Sequence, residues 1–465
     1  MSAHRVQIDV TSSLKRFLPL VLFTFGAFGL LHASQTDSQA VRTVRWNGGL
    51  YVELNSLERF GFQFSAVEVG AREVDVSAEG KKWQFRNGGD RISTSGSKPV
   101  MLTHPLLVLD SRLYLHEKEA REHFQVRLDA EQISFHGKTV AHRPQTLASD
   151  FHQHKVDRLE RRNEVIELKK SVQGLRSLHQ GDSAETIEAG QVLLVRRSCR
   201  VDGVDYGLVT RTGPNPESFL VREAELAEVQ QKASLEGTDW QRRMAWFQKR
   251  ARVDGALRRA DSDLPEQIAV TVDLCWSMRA YEKALFDEIA REAGEGKSLA
   301  FTLFASGRWM EQHPSEMESL IQLGRMKGVT VLWGLHSWSH PKTGDFMNDF
   351  SLDEVINDTL KLEAEQLSWG IVPTVYYRFP GLIHNPKRIE TVLSLGLLPI
   401  DCDAWVAEYS PRGRHPFGGP TRGGSIVLVH GNGNEPKGIE LLLEWMKANR
   451  DWKWEPLSRF LPGEH

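Results

Sequence analysis

Past Pro265 the chain alternates two patterns: a short, mostly apolar run and an amphipathic stretch at helical spacing. The apolar runs fall at 268–272, 299–304, 329–332, 374–377, 397–400 and 425–429, with helical patterns at 280–293, 315–326, 352–368 and 387–394. Runs of this kind bury both faces, as strands of a parallel sheet do. Strand–helix alternation is the signature of a parallel α/β fold, which collects its chemistry at the C-terminal ends of its strands.

Polar residues stand at those ends. Asp273 closes the first run, in Thr271-Val272-Asp273-Leu274-Cys275, and suits a general base or a metal ligand. His336 and His340 follow the third run, in Leu335-His336-Ser337-Trp338-Ser339-His340-Pro341. Four apart, on one helical turn, their imidazoles would point the same way, and neutral imidazole binds zinc and its neighbours. Arg378, in Tyr377-Arg378-Phe379-Pro380, can orient a carboxylate through a bidentate pair. Asp401 and Asp403 flank Cys402 ahead of Trp405, joining carboxylates to an aromatic wall suited to a sugar face. His430 ends the last run, two residues past Leu428. Taken singly, each has a plainer reading: a helix cap, a surface ion pair or a packed histidine.

As an ordered set, Thr-x-Asp, His-Ser-x-x-His, Arg-x-Pro, Asp-x-x-x-Trp and Leu-x-His resemble the five motifs of the polysaccharide deacetylases (NodB homology, carbohydrate esterase family four). The resemblance covers 265–465. It implies an irregular (β/α) barrel of seven or eight strands and hydrolysis of N-acetyl groups on amino sugars with the help of a divalent metal, zinc being the expected one. It implies that Asp273 is the base for the attacking water, with His336 and His340 holding the metal; the alternative is that Asp273 itself ligates beside them, leaving another residue as base. It also implies that Arg378 orients Asp273, that Trp405, Leu428, Asp401 and Asp403 line the substrate pocket, and that His430 protonates the leaving amine. Three positions depart from the family pattern. Leu274 stands where a second, metal-binding Asp is usual, with Cys275 next to it as a thiol that can ligate. Ala404 precedes Trp405 where an Asp is common, and Gly381 replaces an aromatic. Leu274 keeps a second reading open: a catalytically impaired, glycan-binding protein on a deacetylase scaffold.

The remainder of the chain suggests modules ahead of that domain. Lys15 and Arg16 precede an apolar run ending at Leu31, followed by Ala33-Ser34, so 1–33 reads as a secretory signal peptide, with an uncleaved membrane anchor as the alternative. The expected location is the periplasm, cell envelope or outside. Short strands and turns over 41–143 resemble, over 41–136, the N-terminal domain of copper amine oxidases, with a structural or adhesive role and no copper chemistry. A charged, helix-patterned linker is expected over 145–180, an SH3-like β module over 185–230, which implies contact with cell wall, and a second helical linker over 231–264. Three cysteines, Cys199, Cys275 and Cys402, are too few for a disulfide scaffold, and both a Cys275–Cys402 bridge and free thiols fit the pattern. A formal charge of −3 argues against nucleic acid as a partner. The partner expected is a polysaccharide: peptidoglycan first, another N-acetylated glycan otherwise.

Overall fold

The computed structural model describes residues 41–465 apart from 66–72, 87–88, 90, 96, 110, 130, 148, 150, 180–181, 183, 253–254, 261–263, 342–349, 407–421, 434 and 463–465. The expected leader at 1–33 lies outside the described residues. Among those described, no helix is long and apolar enough to cross a membrane.

From Thr43 to Thr146 the chain builds three small sheets, almost wholly antiparallel, and one helix, Glu117–Phe124. Period-two alternation drives them: Val74, Val76 and Ala78 turn inward and Asp75 outward along one strand. Their inward faces share a core of Val52, Leu57, Phe62, Phe85, Leu115 and Phe124.

The linker expected over 145–180 is not a helix. Val156–Leu168 is a thirteen-residue strand, paired antiparallel with Val192–Val201 and, at its far end, with Gln230–Lys232. Charges that suggest the solvated face of a helix pair within the β module instead: Arg158 meets Asp205, two strands over, at 3.1 Å, and Arg162 meets Glu223, at the start of the helix Glu223–Val229, at 2.7 Å. Asn163, at φ 57°, sits where the register shifts between Arg161 and Glu164, a left-handed conformation that an α-helix does not contain. The β module therefore begins near Val156 rather than at 185. In the second expected linker, Asp239–Arg250 is helical, and its Trp240 and Phe247 are buried. Beyond it, Leu257 bridges to Ile400 and Arg259 to Ser425, so this stretch fills a seam of the C-terminal sheet.

That sheet has eight parallel strands: β1 (Gln267–Leu274), β2 (Leu299–Ala305), β3 (Val329–Leu335), β4 (Tyr376–Tyr377), β5 (Leu398–Pro399), β6 (Ala404–Val406), β7 (Ser425–His430) and β8 (Lys453–Trp454). Their order is β5-β4-β3-β2-β8-β1-β7-β6, with β1 and β2 also paired directly along Val270–Leu274. Every residue of β2 is buried, as a strand covered on both faces requires. Helices α1 (Lys283–Gly294), α2 (Gly307–Gln312), α3 (Pro314–Gly324), α4 (Leu352–Ser368), α5 (Pro386–Ser394) and α6 (Pro436–Ala448) alternate with the strands.

The β module is joined to this domain by a buried ion triad. Arg196 and Arg197, from Val192–Val201, both reach Glu363 of α4, at 2.8 and 2.6 Å, and all three side chains are fully buried. Around it Cys199, Leu208 and Leu220 pack on Leu367 and Val372.

Candidate functional site

The site forms where β1, β3, β4 and β7 end. Parallel pairing sets Asp273 opposite His430 and Thr271 opposite Leu428, and Leu428 in turn opposite Trp405. Paired residues share a face, so these five side chains line one side of the sheet. Arg378, just past β4, reaches across that side fully buried. Its Nη1 donates to Asp273 Oδ1 and to Thr271 Oγ1, each at 2.7 Å, and its Nη2 donates to the Asp401 carbonyl at 3.0 Å. The guanidinium also lies 4.3 Å from the ring centre of Phe304. One oxygen of Asp273 is thereby fixed. The other, Oδ2, stands 3.7 Å from His336 Nε2.

His336 and His340 converge, though not on a helical turn. The segment is irregular, with Ser337 at φ 64° and His340 at φ 40°, so the one-turn expectation is corrected. Asp358 of α4 holds it in shape: its carboxylate accepts from Ser337 Oγ and Trp338 N at 2.7 Å and from Ser339 N at 2.9 Å. The two Nε2 atoms come within 3.2 Å. His336 Nδ1 lies 3.0 Å from the Arg378 carbonyl, an acceptor only, so Nδ1 carries the proton and the Nε2 lone pair is free.

Cys275 completes the cluster. Its Sγ is 3.5 Å from His336 Nε2, and the donor atoms of Cys275, His336 and His340 all lie within 4.8 Å of one another. Burial alone would raise the Cys275 thiol, but His340, His336 and His430 outweigh it and hold the thiol well below its usual value. The same thiolate, against the cost of burial, raises His340 and, with Glu435, raises His430 well above the ordinary histidine value. A half-buried thiolate beside two buried imidazoles has the composition of a transition-metal site. These residues fit a divalent ion such as zinc: one thiolate and two imidazoles, with Asp273 Oδ2 beside them. Leu274, by contrast, is wholly buried in the hydrophobic core.

His430 has a partner that sequence reading missed. Glu435 Oε2 lies 3.1 Å from its Nδ1. Asn432 Nδ2 donates to the Cys275 carbonyl at 3.1 Å. Glu435, Asn432 and Asp358 carry no motif of their own; the nearest signal was the missing Asp at Ala404.

Asp401 and Asp403, expected in the substrate pocket, are engaged elsewhere. Asp401 is 3 % exposed, and its carboxylate accepts from Cys402 N at 2.8 Å and from Arg258 Nε at 3.1 Å. Asp403 accepts from Ile426 N at 3.0 Å, near the start of β7. His430 lies four residues further along that strand, roughly 13 Å away at the usual rise. Leu428 is buried beneath the site, while Trp405 is half-exposed and its Nε1 has no hydrogen-bond partner among the described residues. All three cysteines are free, so the Cys275–Cys402 bridge is not formed.

No family profile matches the sequence. Among solved structures, the chain is similar to a family 4 carbohydrate esterase from Bacillus anthracis, at 16% identity over 50% of this chain and 96% of that one, with a TM-score of 0.35. It is similar to the chitin deacetylase of the fungal pathogen Colletotrichum lindemuthianum at 18% identity, 45% and 92% coverage and a TM-score of 0.33. A family 4 pseudoenzyme from Bacillus anthracis overlaps at 16% identity, 43% and 67% coverage and a TM-score of 0.32. The expected likeness of 41–136 to the amine oxidase N-terminal domain finds no support among these structures. Overlaps this distant assign neither family nor activity.

Proposed function

We propose that the chain is a metal-dependent hydrolase that removes acetyl groups from the amino sugars of a polysaccharide, peptidoglycan first among candidates, outside the cytoplasm at the cell envelope. The observation that carries this reading is the convergence of Cys275, His336 and His340 beside the Arg378-held carboxylate of Asp273. Cys275, His336 and His340 would hold a divalent ion, which when bound would supply Lewis acidity toward the acetyl carbonyl and the attacking water. Asp273, with one oxygen tied to Arg378, keeps Oδ2 to take the proton from the attacking water. His430 stands on the adjoining strand with Nδ1 held by Glu435, so its Nε2 is the proton donor. As water oxygen bonds to the acetyl carbon and the C–N bond breaks, that proton passes to the sugar nitrogen, leaving acetate and a free amine. Trp405 offers its ring to the sugar face.

The test is acetate release from N-acetylglucosamine oligomers and muropeptides by metal-loaded protein, with metal content measured in parallel. One bound ion, lost with activity in His336→Ala, is the expected result. Folded, metal-loaded protein that releases no acetate from any of these substrates would refute it. Leu274 favours the second reading, a glycan-binding protein without hydrolysis, because it stands where the family pattern has a second, metal-binding carboxylate. Metal-free protein that still binds glycan supports that reading instead.

A further inference from the structure

Where the N-terminal sheets meet the C-terminal domain they enclose a cavity of about 330 Å3, outside the site just described. Glu311 of α2 and Glu365 of α4 line one side, and Trp46, Tyr51 and His116 line the other. Glu365 accepts one hydrogen bond, from Trp369 Nε1 at 3.1 Å, while Glu311 makes no hydrogen bond or ion pair with any described residue. The cations nearest in charge to Glu311 are Arg308 and Lys361, yet both lie against the Trp338 ring, at 4.4 and 3.1 Å from its centre. Burial and then Glu311 raise Glu365, and burial raises Glu311, against the pull of Arg308 on Glu311 and of Lys361 on both. His152 Nε2, 3.9 Å from Glu365 Oε1, adds no charge at pH 7 because burial holds the ring neutral.

A second observation points into the same cavity. His116 is 3 % exposed and its Nδ1 accepts from Lys118 N at 3.2 Å. Burial and the neighbouring His104 keep the ring neutral at pH 7, so its proton is on Nε2. That Nε2–H has no hydrogen-bond partner among the described residues. It is fitted against Gly49, where a Cβ would come within 2.5 Å of it.

We propose that this cavity binds a small primary ammonium carrying a neighbouring hydroxyl or carbonyl, of the size of one free amino sugar. Glu311 and Glu365 take the ammonium, His116 Nε2–H donates to the oxygen, and Trp46 and Tyr51 cover the apolar face. A transition metal fits less well. Bonds of about 2 Å draw its ligands together, and among the described residues His116, Glu311 and Glu365 do not form such a cluster. An N–H···O bond of about 2.9 Å tolerates the wider spacing. The volume, near the lower end of small-molecule pockets, suits a single ring. None of these residues belongs to the metal cluster, so the proposal stands independently of the hydrolytic reading.

The test is calorimetric titration of the full chain at pH 7 with glucosamine, N-acetylglucosamine and glucose. Glucosamine is expected to saturate one site, with the two neutral sugars at least tenfold weaker. Glu311→Gln and Glu365→Gln each weaken glucosamine at least tenfold without lowering the midpoint of thermal unfolding, and His336→Ala leaves its affinity unchanged. Glucose binding as tightly as glucosamine, no binding of glucosamine, or glucosamine binding that is lost in His336→Ala overturns the proposal. So does one equivalent of zinc that stays bound in His336→Ala and is lost when Glu311→Gln is added. The probe series on the unmutated chain decides the matter even if a Gln variant folds poorly.

Discussion

Replacing Arg378 with Lys keeps the charge and removes the fork. The guanidinium makes three bonds of 2.7, 2.7 and 3.0 Å, to Asp273, Thr271 and the Asp401 carbonyl, and a longer one of 3.4 Å from Nε to the Ile400 carbonyl. A single ammonium keeps Asp273 and turns to at most one other acceptor. Hydrogen bonds to a charged group contribute about 1.5–3 kcal/mol each. Losing one sound bond and the long one should therefore cost about 2–3 kcal/mol. Arg378→Met goes further, because Asp273, 2 % exposed, is left without a counter-charge; that costs about 3–5 kcal/mol. Denaturant unfolding at pH 7 should rank the proteins native, Lys, Met. In the acetate-release assay the Lys variant should lose about 100-fold in kcat/KM, since a misplaced base of about 1 Å has that effect. A Lys variant within about 0.5 kcal/mol of the native chain, or a Met variant no worse than Lys, would refute the account of Arg378 as the tie between strand ends.

Cys275→Ser should weaken zinc at least about 100-fold, because one donor of a four-coordinate site represents about 3 of its roughly 10–16 kcal/mol; chelator competition reads this, and unchanged affinity would exclude the thiolate as a ligand. Glu363→Ala leaves Arg196 and Arg197 buried without a counter-charge and should cost about 3–5 kcal/mol, seen in unfolding and as faster hydrogen exchange along Val192–Val201. Gly307→Ala would put a Cβ 2.0 Å from Trp338 Cδ1, so the ring between the two histidines must move; a loss of about 1–3 kcal/mol with weakened metal binding is expected, and normal metal affinity would disconnect Trp338 from the cluster. Glu365 is pushed up to about 8 by burial and by Glu311, so the folded state binds more protons than the unfolded one between about 4.5 and 8 and stability falls as pH rises through that window. His152 and His116, held down at about 4 by burial, act in the opposite sense only below about 6.5. Unfolding from pH 6.5 to 8 should thus show the native chain losing stability relative to Glu365→Gln, and parallel curves would contradict it.

The C-terminal half was legible because its strands are buried on both faces and advertise themselves as apolar runs, and because a strand's last polar residue has few places to go but the sheet's end. Asp273, His336, Arg378 and His430 could be named that way. The strand Val156–Leu168 could not, because its charges pair with residues remote in sequence, such as Asp205 and Glu223, and only those partners make sense of them. Asp401 and Asp403 stand beside an aromatic in sequence, yet strand direction puts Asp403 at the wrong end of β7.

What the sequence determined by itself is local: which segments are strands of a parallel sheet, and which chemistry-bearing residues close them. The tertiary structure alone decided the company those residues keep. Cys275 takes its place beside two histidines, Asp358 shapes their turn, and Glu435 rather than a residue at 404 holds His430. The physical reason is that apolar periodicity is written along the chain, whereas the partner of a buried charge is set by packing between segments remote in sequence, and no local pattern encodes it.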